Sequence, residues 1–278
     1  MTTTPVGIVG PGRAGLSLGL ALQRAGYDVR LHGRHAKPVP APLTLTVGIA
    51  PPWVADVTVV LLAVRDDAIP HAAGALRATN ALGARHTVLH LSGALDRTAL
   101  DVLSPTGAAL GSLHPLQALS DPVTAPERLR GAVAAVEGDA RALEHATLLA
   151  KAVGLVPFTL PPGAKGRYHA GAVVASNYLV VLAALAERLF AGAGMPDHVR
   201  LQGLAALMDG TLANVRGAGP LSALTGPVVR GDAETITRHL ALLTPGEAAL
   251  YRALGKGALA LAELDPARRR AVEQALGN

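Results

Sequence analysis

A short run of branched apolar residues, Val6, Ile8 and Val9, ends in Gly10-x-Gly12-x-x-Gly15 and passes directly into the helical stretch of residues 13–26, closed by Gly26. Strand, glycine loop and helix in that order narrow the folds open to this chain. Gly10 suits the tight turn and Gly12 lets a pyrophosphate approach the backbone. Gly15 lets helix and strand pack closely, and the first helical turn offers its free N–H groups to phosphate. The spacing therefore assigns Gly10, Gly12, Arg13, Ala14 and Gly15 to a dinucleotide diphosphate. An Ala/Gly-rich turn without a ligand is the plainer alternative.

The rest of the first half repeats the alternation. Apolar runs at residues 28–33, 56–64, 86–93, 108–115, 131–138 and 155–161 are separated by helical stretches or loops, and the unbroken DVTVVLLAV at 56–64 suits a strand buried on both faces. Alternating strands and helices predict an α/β, Rossmann-type doubly wound parallel sheet over residues 1–160. After PPG at 161–163 the texture becomes Ala- and Leu-rich with Gly/Pro stops, which predicts an all-helical domain over 161–278.

The end of the second strand refines the cofactor. An NAD site usually carries an acid there for the ribose hydroxyls. This chain has LHGRHAK, with Arg34, His35 and Lys37 in place of an acid. Cations suit a 2′-phosphate, so NADP (NADPH) is expected. An exposed Arg34 beside a site that takes either cofactor is the alternative. Small Ala63 and Val64, at the carboxyl end of the third long strand, are expected under the adenosine and ribose. Arg65 and Asp66 read as ordinary loop charges.

Composition excludes several other classes. There is no cysteine, hence no disulfide framework or thiolate nucleophile. The net charge is +5, but the arginines are scattered and aromatics make up 3%, which leaves nucleic acid no stacking platform. No histidine or carboxylate cluster has metal-ligand spacing, and G-x-S-x-G is absent. The N-terminus lacks the basic and apolar regions of a signal peptide, so a cytoplasmic protein is expected. The apolar run 170–186 has 17 residues, short of the roughly 20 that span a bilayer, and Glu187-Arg188 follows at once.

Polar groups stand at two further strand ends, HLSG (90–93) and SLHP (112–115). Ser92 suits a hydrogen bond to substrate or, equally, the cap of the next helix. His114, held extended before Pro115, suits a substrate contact, a general acid or a loop cap. His90 reads as a hydrogen-bonded interior residue. In KGRYHAGAVVASN (165–177), Lys165, His169, Val173 and Asn177 recur at steps of four, with Ser176 beside them. Such a stripe on an apolar helix needs polar partners or a cleft. A surface Lys165 and a packing Asn177 are the alternatives.

Taken together, GIVGPGRAG, HLSGAL, GSLHPLQ, KGRYHAGAVVASNYLVVL and LTGPVVRGDAETITRHL resemble a bacterial family that joins a Rossmann-like NADP-binding domain to a helical domain of unknown function 2520. That family is similar in architecture to 6-phosphogluconate dehydrogenase, β-hydroxyacid dehydrogenases, pyrroline-5-carboxylate reductase and ketopantoate reductase. The resemblance implies a homodimer built on the helical domain and an active site at the domain junction. The first functional reading is an NADPH-dependent reductase of a small keto acid or imine, with ketopantoate-like substrates included by analogy. Candidate catalytic residues are Lys165, His169, Asn177, His114 and Ser92, with Arg230 holding a substrate acid group. β-Hydroxyacid dehydrogenases place a lysine four residues before an asparagine; here Lys165 stands twelve before Asn177, and Val173 occupies the expected place. A non-catalytic NADP-binding regulatory or interaction protein is the rival reading. No nucleic-acid or membrane partner is expected.

Overall fold

The run at 56–64 is buried on both faces, as its unbroken apolarity requires. Val59 and Leu61 join one core layer, Val60 and Leu62 the other. In the computed structural model, which describes residues 5–277, this run supplies one strand of an eight-stranded sheet. In chain order the strands are β1 (Val6–Val9), β2 (Val29–Gly33), β3 (Leu45–Val47), β4 (Val59–Leu62), β5 (Thr87–His90), β6 (Ala109–Pro115), β7 (Val133–Gly138) and β8 (Val156–Thr159). Their spatial order is β3-β2-β1-β4-β5-β6-β7-β8. Strand order reverses at β1, which lies between β2 and β4, so the ligand crevice of a doubly wound sheet falls outside the carboxyl ends of β1 and β4.

The α/β class and the helical C-terminal segment are as the sequence predicts. Two details differ. The Pro-rich connection before residue 56 contains β3, a three-residue edge strand too short to show a pattern. β7 runs antiparallel to β6, with Leu113 opposite Val136 and His114 opposite Ala135. The connection between them carries only a five-residue helix, Ala125–Leu129, and the local alternation of apolar residues is the same for either strand direction.

Helices α1 (Arg13–Arg24) and α2 (Ile69–Ala78) pack on opposite faces of the sheet. Leu18 and Leu22 of α1 join Ile8, Leu31 and Leu61. Ile69 and Leu76 of α2 join Val60, Leu62 and Val88. Each fully buried leucine of this kind contributes about 1.5–3 kcal/mol of transfer free energy.

The chain divides into two compact units, the first ending at Asn177 and the second starting at Tyr178. The division lies inside the helical run Lys165–Gly192, beyond the change of texture near 160. The early part of that run, α3 (Lys165–Val173), belongs with the sheet.

The second unit holds α4 (Leu179–Gly192), α5 (Asp197–Ala223), α6 (Pro227–Arg230), α7 (Ala233–Leu242), α8 (Pro245–Leu261) and α9 (Pro266–Leu276). Side-chain caps start the last three: Asp232 accepts from Thr235, Thr244 forms a capping box with Glu247, and Asp265 accepts from Ala267 and Arg268. Val228, Ile236, Leu259, Val272 and Leu276 form this unit's core. On α4 and α5, by contrast, Val180, Val181, Leu201, Leu207 and Leu212 are exposed. The full run Lys165–Gly192 has 28 residues, and an 18-residue stretch within it has a mean hydropathy of 1.7, long and apolar enough to cross a membrane. Length therefore does not argue against a span, as the 17-residue apolar stretch suggests it would.

Candidate functional site

The glycine loop is set by its own close contacts. Gly10 has φ +111°, and a Cβ there would stand 2.4 Å from the Ala63 carbonyl oxygen. A Cβ at Gly15 would stand 2.0 Å from the Gly10 carbonyl oxygen, so helix and turn meet only without a side chain. Gly12 is different. It has ordinary extended geometry at the N-cap of α1, and the nearest atom to an added Cβ is 3.9 Å away. No protein atom occupies that space. The first turn of α1 has no side-chain cap and no acid, so its N–H groups remain available to an anion. Arg13 is exposed and Ala14 half-buried at this turn. The residues present thus fit a dinucleotide diphosphate.

A cleft of about 240 Å³ continues from the loop, with Gly10, Pro11, Arg34, Val64 and His71 among its walls. Val64 lines it. Ala63 instead packs beneath the turn, its Cβ 3.0 Å from where a Gly15 side chain would begin. Arg34 is exposed on the cleft wall and makes no ion pair among the described residues. His35 and Lys37 are exposed and are not among its walls. His32 is not available to a ligand: its ring nitrogens lie 3.0 Å from Thr46 Oγ1 and 3.1 Å from the Gly48 carbonyl, and burial lowers its pKa. Arg65 pairs with Asp67 at 2.6 Å in the solvent, which fits an ordinary loop charge. His71, on the α2 wall, carries no local motif that marks it in the sequence.

A second polar cluster lies where β5 and β6 end. Lys165, the first residue of α3, is 3% exposed, and its Nζ donates to the Ser92 carbonyl oxygen at 2.9 Å. Burial lowers its pKa to about 8, against the opposing pull of Glu137, Asp66 and Asp96. The Ser92 hydroxyl accepts from the backbone N–H of Ala94 and Leu95, so it shapes the turn while the carbonyl holds the lysine. His90 braces the same turn. Its Nδ1 accepts from the Ser92 N–H and its Nε2 lies 2.9 Å from the Asp96 carbonyl, the interior role the sequence suggests. Burial takes its pKa down to about 4, so it is neutral at pH 7.

His114 and His169 complete the cluster. Their rings stand 6.3 Å apart, edge to face, and a Cβ at Gly93 would lie 2.7 Å from an atom of each. Glycine at 93 therefore lets both imidazoles approach this turn where a side chain would clash with them. Burial, then the charge of Lys165, lowers the His114 pKa to about 4. Its Nδ1 lies 2.8 Å from the Tyr168 hydroxyl oxygen. Tyr168 was not a candidate from sequence: it lies 54 positions from His114, and no short-range pattern marks the pair.

The structure brings Lys165, His169, His114 and the backbone of Ser92 together. Asn177 is not among them. A π-helical turn, Val174–Tyr178, interrupts the steps of four, and Asn177 is exposed without a hydrogen-bond partner among the described residues. Arg230, in the second unit, ends α6 exposed, with Gly231 left-handed after it. It makes no ion pair among the described residues. No metal-binding group of histidines and carboxylates is found among those residues either.

Residues 132–258 match the model of a domain of unknown function, DUF2520. The sequence matches no curated protein. Among solved structures, the chain is similar to a Bacteroides fragilis protein assigned as an NADP oxidoreductase, at 20% identity and a TM-score of 0.74, covering 93% of this chain and 99% of that one. A Thermotoga maritima protein is similar at 24% identity and a TM-score of 0.69, covering 92% and 98%. A Plasmodium falciparum pyrroline carboxylate reductase, solved with NADP bound, is similar at 12% identity and a TM-score of 0.63, covering 99% and 97%. At these identities the likeness shows a shared Rossmann-type fold.

Proposed function

We propose that this chain is an NADPH-dependent reductase of a small keto acid or imine, acting as a cytoplasmic homodimer. The observation that carries the reading is Lys165: a buried ammonium with a lowered pKa, beside two imidazoles, at the carboxyl edge of a sheet whose glycine loop suits a dinucleotide. Folds of this type that bind NADP, such as the malarial reductase, support it by analogy.

The diphosphate would rest on residues 10–15 and the 2′-phosphate on Arg34, with His71 nearby. When bound, the cofactor supplies hydride to the electrophilic carbon. Lys165 gives its proton to the developing alkoxide or amine and regains one from solvent. With a pKa near 8 it is mostly charged at pH 7 yet a competent acid. Loss of NADPH absorbance across a panel of keto acids and cyclic imines tests the reaction. Tight NADPH binding without turnover of any of them would favour the non-catalytic reading, which the displacement of Lys165 from the dehydrogenase spacing supports.

Arg34→Ala should weaken NADPH binding by about 10- to 100-fold, the worth of a charge-assisted hydrogen bond, and leave NADH nearly unchanged. Equal losses for both cofactors in a fluorescence titration would remove the 2′-phosphate from Arg34.

The exposed valines and leucines of α4 and α5 support the homodimer. A bilayer is the competing cover for them. Against it, Lys165 at one end of the apolar run is buried and hydrogen-bonded within the sheet unit. Multi-angle light scattering without detergent should give twice the 28.2 kDa chain mass. A monomer, or protein soluble only in detergent, would refute the dimer.

A further inference from the structure

His114 has one ring nitrogen committed and one open. Nδ1 lies 2.8 Å from the Tyr168 hydroxyl, the rings meeting edge to face at 5.5 Å. Nε2 has no hydrogen-bond partner among the described residues, and a Cβ at residue 93 would stand 2.7 Å from it. The hydroxyl proton of Tyr168 also needs an acceptor, since a half-buried phenol keeps its proton and pairs it. Burial raises the Tyr168 pKa to about 12, so that proton stays in place. Its one partner among the described residues is His114 Nδ1. The Phe158 ring also packs against the phenol, with centroids 6.0 Å apart. If Tyr168 donates to Nδ1, the imidazole proton must sit on Nε2.

We propose that Tyr168 is a positioning residue that fixes His114 as a neutral donor through Nε2, so that His114 and Lys165 together present donors to a carbonyl oxygen rather than to an iminium nitrogen. The Lys165 ammonium carries donors and no acceptor, and the neutral His114 adds another. A carbonyl oxygen accepts from both, and more strongly as it becomes an alkoxide. A protonated imine instead presents its own N–H and a positive charge, which neither of these two donors accepts and which the Lys165 ammonium repels. The groups facing His114 are Lys165, His169, Tyr168 and, at longer range, His90 and Asp66. The single carboxylate among these is Asp66, a loop charge.

The proposal rests on the reductase reading for its purpose, but the tautomer is measurable without turnover. Nitrogen-15 spectra of the histidine rings, with His114 assigned by its loss in His114→Gln or His114→Asn, should show an Nε2-protonated, neutral ring at pH 7. In Tyr168→Phe, the Nδ1 resonance should move toward that of an unbonded ring nitrogen. An Nδ1-protonated ring in the wild type, or no movement in Tyr168→Phe, would overturn the assignment. In turnover, keto acids should exceed cyclic imines of matched carbon skeleton by at least about tenfold in kcat/KM, and Tyr168→Phe should erode that ratio with NADPH affinity kept. An imine preference would overturn the substrate class. If neither class is reduced, the reductase reading fails, and the spectra still decide the Tyr168–His114 pairing.

Discussion

Lys165→Met should lower kcat for the reductive reaction by about 10²- to 10⁴-fold, the range a positioned proton donor supplies, while NADPH affinity changes little. Methionine keeps the length and apolar stem of the buried side chain, so the loss would reflect the proton and the charge rather than a cavity. Lys165→Arg should be comparably inactive, because a guanidinium keeps its charge but does not release a proton. The pH dependence follows from the same group. Burial depresses the lysine's pKa to about 8, and the donor form is the protonated one. Activity should therefore fall as pH rises through about 8. His114 and His90, with pKa values of about 4, are neutral throughout and should leave no inflection between about pH 5 and 7. Stopped-flow NADPH oxidation from pH 5 to 10 reads both effects. Full activity in Lys165→Met would remove the lysine from the chemistry.

Gly12→Asp should abolish cofactor binding without unfolding the protein, and Gly10→Ala should do the reverse in order of cause. At Gly12 the space beyond Cα is empty of protein, and Asp is among the best N-caps, so α1 should be as stable as before or more so. A carboxylate there would stand where the diphosphate must lie. A loss of at least about 100-fold in NADPH affinity, near 2.7 kcal/mol, is expected by calorimetry. At Gly10, a φ of +111° and a carbonyl oxygen 2.4 Å from the new Cβ strain the fold itself. The backbone conformation alone should cost about 1–3 kcal/mol, seen as a lower midpoint in urea before any cofactor is added. Equal thermal stability and equal NADPH affinity in Gly12→Asp and the wild type would show that no diphosphate rests on this loop.

Much of the sheet is legible in the sequence because buried parallel strands leave a one-dimensional trace. The run containing Val59–Leu62 has to be apolar along its length when both faces are covered. The polar residues that end such runs, Ser92 and His114, stand out for the same reason. β3 leaves no trace because three edge residues make no period. The direction of β7 leaves none because alternation is the same read either way. At the helix start, steps of four align Lys165 with Asn177 only if every turn is α-helical, and the π turn at Val174–Tyr178 breaks that assumption.

The amino-acid sequence alone carries the order of strand, glycine turn and helix, and with it the edge of the sheet where the ligand crevice of such a fold lies. These are local matters of backbone freedom and apolar periodicity. Which groups meet at that edge was decided by the fold. Lys165 takes a carbonyl 73 positions away, Ser92 spends its hydroxyl on its own turn, and Tyr168 finds His114 across 54 residues. Hydrogen bonds between distant segments depend on where whole elements dock, and side-chain order along the chain holds no record of that docking.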